Sequence, residues 1–108
     1  MPRRPGPIRL ARRLGARIRT LRTEAGLTQE TLAWDCDLDK GYLSQVESGK
    51  RLPSVPVLVV LAKRLGVEAA DLLALDLSHP RLALLEAARR RDRAAIRAAV
   101  RRVLLPTA

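Results

Sequence analysis

Two short segments with helical apolar spacing, residues 29–36 and 40–48, are separated by only a tight turn, and this constrains the chain more than any other feature. Leu32, Ala33 and Cys36 fall on one face of the first segment, and Leu43 and Val46 on one face of the second. Thr28 is a good N-cap for the first. Asp39 is placed to cap the second, and Gly49 to end it. A pair of helices joined this closely has helix-turn-helix geometry.

The remaining sequence supplies a helical body. From about Arg9, Leu10, Leu14, Ile18, Leu21 and Ala25 recur at helical spacing, and Gly26 closes that helix. Ser54 caps a fourth helix that tolerates Pro56 in its first turn and ends at Leu65-Gly66. A short fifth helix is expected over 68–75, and a last helical stretch over 81–105, after His79-Pro80. Asp92, behind the run Arg89-Arg90-Arg91, marks a kink or a new helix start there. The predicted fold is all-α: five helices in a domain over 10–76, preceded by a basic irregular arm (1–9) and followed by an Arg-rich helical extension (79–108).

Charge is distributed unevenly. The 108 residues hold 21 Lys plus Arg and 11 Asp plus Glu, net +10, yet 47% are hydrophobic, enough for a packed core. Residues 1–22 are net +8, 23–78 net −4 and 79–108 net +6. A polyanion partner is the usual reading of such asymmetry, gripped by the flanks and by a few chosen residues of the middle.

Those chosen residues lie on the second short helix. With Leu43 facing inward, Val46 and Glu47 lie beside it, Gly41 and Gln45 point away, and Ser44 and Ser48 flank them. This outward row is small or hydrogen-bonding, which suits a helix laid in the DNA major groove. There Gln pairs bidentately with adenine, Lys reaches guanine acceptors and small residues permit close approach. Gly41 costs about 1 kcal/mol of helix stability relative to Ala, and close approach is a reason to tolerate it.

The segments GLTQETLA, DKGYLSQVESGKRLPS and LAKRLGV, in order and correctly spaced across about residues 14–75, resemble the Cro/lambda-repressor type of helix-turn-helix domain, the XRE family. The resemblance implies a five-helix lambda-repressor-like fold with its motif at about 29–48. It also implies a sequence-specific double-stranded-DNA-binding transcriptional regulator, a dimeric repressor on a pseudo-palindromic operator. By the same resemblance Gln29 bonds a backbone phosphate and braces the recognition helix, and Lys40, Gly41 and Gln45 read base edges. Tyr42 and Ser44 then lie at base or backbone contacts, Lys50 and Arg51 follow the phosphates after Gly49, and Arg22 pairs with Glu47. Asp37 stands where the family's turn usually has Gly, and Glu68 replaces the usual Ser or Thr cap.

Two features fall outside that pattern. Val55, Leu58, Leu61, Ala62 and Leu65 make the core face of the fourth helix, while Val57, Val59 and Val60 fall largely on its other side, so a cover is expected there, either the extension or a second subunit. Leu85, Ile96 and Val100 are the extension's candidate packing residues, while Arg93, Arg97 and Arg101 form a separate basic stripe. The alternative to a repressor is an antitoxin or co-regulator whose C-terminal helix binds a partner protein. A lone Cys36 on the inward face reads as a core thiol, and Trp34 as an outward residue at the domain edge. No metal site, cofactor or catalytic residue is expected, since no second His or Cys accompanies His79 and Cys36 and no phosphate-binding glycine loop is present. A cytoplasmic location of bacterial or phage type, without membrane contact, is the corresponding expectation.

Overall fold

The computed structural model describes residues 6–75 and 80–104, and these form helices without strands. In order they are α1 (Pro7–Glu24), α2 (Gln29–Asp35), α3 (Lys40–Ser48), α4 (Val55–Leu65), α5 (Ala69–Leu72), α6 (Pro80–Arg89) and α7 (Arg93–Leu104). The chain divides into two compact units after Leu75.

In the first unit α1 starts earlier than apolar spacing indicates, because Pro7 occupies its first turn, where a missing N–H and a fixed φ suit a helix. Arg9 therefore stands on a helix and not in an irregular arm, while Arg3 and Arg4 lie outside the described residues. Ala11, Leu14, Gly15, Ile18 and Leu21 form the buried stripe of α1. Leu10 and Ala25, which the spacing placed on that stripe, are exposed. Ala25 is already the helix cap, and Gly26 follows with φ 73°, a left-handed turn that glycine adopts without strain.

Leu32 and Ala33 of α2, Leu43 and Val46 of α3, Leu58, Leu61 and Ala62 of α4 and Leu72 after α5's start complete one core with α1. Thr28 caps α2 as expected, its Oγ1 accepting from the Thr31 N–H at 3.1 Å. Asp39 stands at the N-cap of α3, but its side chain makes no capping bond. Between them Asp37 takes φ 54°. Asp is among the few residues that visit this region singly, so the turn closes without the family's glycine.

On α4, Ser54 caps through the Val57 N–H at 3.4 Å. Val55 is not on the core face: it is 72% exposed. Val57, expected on the outer side, is half-buried and packs against the core, whereas Val59 and Val60 are exposed. α5 is shorter than the spacing indicated. Its start is secured by Asp71, whose Oδ2 accepts from the Glu68 N–H at 2.8 Å, which offsets the missing Ser or Thr. Arg17 donates to the Asp71 carbonyl at 3.1 Å and Arg13 to the Leu75 carbonyl at 3.0 Å, tying α1 to this end of the chain.

In the second unit the last helical stretch is two helices, packed against each other. The break is at Arg91, with φ 55°, and α7 restarts with Asp92 Oδ1 accepting from the Ala95 N–H at 3.0 Å. Ala87 and Ala99 are buried, and Ile96 and Val100 half-buried. His79 and the side chains of Leu82, Leu85, Val103 and Leu104 lie outside the described residues.

Candidate nucleic-acid interface

The nine residues of α3 divide by burial as their sequence implies. Leu43, Val46 and Glu47 are buried, Tyr42 is half-buried, and Lys40, Gly41, Ser44, Gln45 and Ser48 are exposed. What fixes the helix is polar as well as apolar. Arg22 of α1 meets Glu47 in a two-pronged ion pair, Nε to Oε2 at 2.7 Å and Nη2 to Oε1 at 3.0 Å. The remaining donor capacity of Arg22 reaches the Leu27 carbonyl at 2.7 Å, so one buried guanidinium joins α1, α3 and the loop before α2. Gln29 adds the third element: its Nε2 donates to Glu47 Oε1 at 3.0 Å. Gln29 thereby ties the first turn of α2 to α3.

Gly15 makes the α1–α3 seam close. A Cβ there would overlap the carbonyl oxygens of Val46 and Glu47. Apolar spacing does not single out Gly15. The available signal was a glycine in the middle of a helix, a costly placement that asks for a packing reason. Gly49 has two reasons at once, φ 81° and an approach that would bring a Cβ to 2.7 Å from Arg12 Cα. The chain then folds back, with the Lys50 N–H donating to the Gln45 carbonyl at 2.9 Å. Lys50 and Arg51 are exposed on this loop, and the Arg51 guanidinium lies 6.0 Å from the centre of the Tyr42 ring, within cation–π range.

At the other end of α3, Lys40 Nζ binds Glu30 Oε1 of α2 at 2.8 Å, and both side chains are largely exposed. This hydrogen bond, with the charge of Lys40, holds the Glu30 carboxyl below its ordinary pKa of 4.5. Glu30 and Lys40 border two shallow surface grooves. Thr31, Ala33, Trp34, Leu38 and Asp39 line one; Arg19, Arg22, Leu27, Thr28 and Gln29 line the other. Trp34, in the first of these, is 86% exposed.

Gly41 is open on its outer side, where a Cβ would meet only the free end of the Asp39 side chain, at 3.3 Å. Its presence therefore answers no packing need inside the protein. Cys36 is buried, and burial pushes its thiol above the ordinary value. Among the described residues no group of His, Cys, Asp or Glu is assembled to hold a metal ion, and no helix is long and apolar enough to cross a membrane.

Residues 13–75 match the family model described as a helix-turn-helix domain. The HTH-type transcriptional regulator PrpR of Mycobacterium tuberculosis is 47% identical over 55 residues, which are 51% of this chain and 11% of that protein. Control protein C.BamHI of Bacillus amyloliquefaciens is 38% identical over 60 residues, 55% of this chain and 74% of that protein. Among solved structures, the restriction-modification controller protein C.AhdI from Aeromonas hydrophila superimposes with a TM-score of 0.56 at 42% identity, covering 57% of this chain and 94% of that one.

Proposed function

The chain belongs to the helix-turn-helix family of the Cro/lambda-repressor type, and from that premise we propose that it is a sequence-specific double-stranded-DNA-binding regulator of transcription, a repressor that acts as a dimer. One observation carries this reading: α3 exposes Gly41, Ser44 and Gln45 to solvent while Arg22, Glu47 and Gln29 hold its opposite face. A helix so held can enter the major groove without reorganising, and Gln45 then meets base edges where a donor–acceptor pair distinguishes adenine. Lys40 reaches a neighbouring base. Lys50, Arg51 and the second amide hydrogen of Gln29 meet phosphates, which set register and orientation. The protein acts by binding, with neither cofactor nor metal, in the cytoplasm.

Two copies bring two α3 helices to half-sites about 34 Å apart, or a multiple of that distance. The exposed Val59 and Val60 of α4 are apolar residues for subunit packing, and so, separately in the second unit, are the half-buried Ile96 and Val100 of α7. Selecting bound duplexes from a random DNA pool tests the proposal. Enrichment of a two-fold symmetric site at that spacing is expected; a pool that stays random after repeated selection overturns it. Trp34, the sole tryptophan, borders the same groove as Lys40 and reports binding by its fluorescence.

A further inference from the structure

We infer that α7 carries a second DNA-binding surface, separate from α3, in which Arg93, Arg97 and Arg101 grip the sugar-phosphate backbone without reading sequence. The inference rests on the reading of the protein as a DNA binder and adds a site to it. Arg93, Arg97 and Arg101 are all exposed. At i, i+4 and i+8 they form one row, about 12 Å long at 1.5 Å rise per residue.

Among the described residues of its unit, no acid forms an ion pair with this row. The segment Arg93–Leu104 contains no acidic residue. Of the acids in the described part of the unit, Glu86 is buried and bound to Arg89 at 2.6 Å and Arg90 at 3.1 Å. The other, Asp92, is engaged by the Ala95 N–H. Like charges four residues apart on a helix repel, and Arg93 in the first turn opposes the helix dipole. The like charges along the row and the placement of Arg93 at the helix start thus disfavour the free helix, and a polyanion offsets both.

The choice of DNA over an acidic protein follows from the residues between the arginines. Ala94 and Ala98 are the exposed neighbours, and the large aliphatics nearest the row, Ile96 and Val100, are half-buried. Among the described residues the row itself therefore presents no aromatic or exposed large aliphatic anchor of the kind that dominates protein interfaces. It offers charge alone, which suits a repeating phosphate backbone.

The experiment measures binding of the full chain to a duplex of unselected sequence across a salt series. For the Arg93→Gln, Arg97→Gln, Arg101→Gln triple variant, the slope of log affinity against log salt should fall by up to about 2.7, at about 0.9 for each phosphate no longer neutralised. Single Arg97→Gln should lower the slope by about 0.9, whereas Lys63→Gln, an equal loss of charge on α4, should leave it nearly unchanged. The triple Lys replacement should retain the wild-type slope, and far-UV circular dichroism checks that helix content is kept. A wild-type slope in the triple Gln variant overturns the inference, as does an equal effect of Lys63→Gln. So does loss of binding to polyglutamate with DNA binding intact, which would mark the row as a surface for an acidic protein. If the wild type itself binds no duplex, the broader reading fails with it, and that result is distinct from the others.

Discussion

The inner and outer sides of α3 contrast within nine residues. On the inner side Leu43 and Val46 are fully buried, and Glu47 meets Arg22 and Gln29. On the outer side Gly41, Ser44 and Gln45 are exposed. Every inner residue is explained by a neighbour in the protein. The outer ones are not: Gly41 weakens the helix, and nothing in the fold requires it. The difference separates residues that position a reading surface from residues that read, and substitutions on the two sides should have opposite signatures.

The largest effect is expected from Glu47→Ala. It leaves Arg22 buried without its carboxylate partner, and removing one member of a buried pair costs about 3–5 kcal/mol; urea unfolding measures it, and the protein that stays folded should keep its preference among bases. Gly15→Ala comes next. The added methyl meets backbone carbonyls that cannot rotate away, so α1 and α3 must separate, at about 1–3 kcal/mol. A thermal melt at or above the wild-type midpoint would break the contrast from the inner side.

Gly41→Ala, the same chemical change on the outer side, should do the reverse. The fold gains up to about 1 kcal/mol of stability, while duplex affinity falls because the methyl group stands between the helix and the groove. Smallest is the effect of Glu30→Gln on the fold. Its ion pair with Lys40 is exposed, and such pairs contribute little. Because Glu30's pKa is depressed, any contribution is present above the ordinary value of 4.5 and disappears as pH falls through the lower folded value. A titration of unfolding free energy through that window should therefore nearly superimpose for wild type and variant.

Much of this contrast was legible in the sequence. Periodicity about Leu43 placed the outer row correctly, because one short helix has a single phase and Thr28 and Gly49 fix its surroundings. The family resemblance supplied Arg22–Glu47, which no spacing argument reaches across 25 residues of chain. Asp37 in a left-handed turn was readable because few residue types can take that conformation. Three things were not legible. Val55 and Val57 exchanged sides on α4, since an almost wholly aliphatic segment carries no polar mark to set its phase. Gly15 was silent because close approach is a property of two helices and not of either sequence. Glu30 was missed as the partner of Lys40 because an exposed pair bridging two elements leaves no periodic trace.

The most direct measurement compares wild type and Gln45→Ala on the selected site and on its single-base variants, with unfolding measured in parallel. Stability should stay within about 0.5 kcal/mol, while preference at one base pair of each half-site weakens by about 1–3 kcal/mol and the other positions keep theirs. An equal drop in affinity for every duplex, or an unchanged preference at every position, would contradict base reading by the outer face of α3.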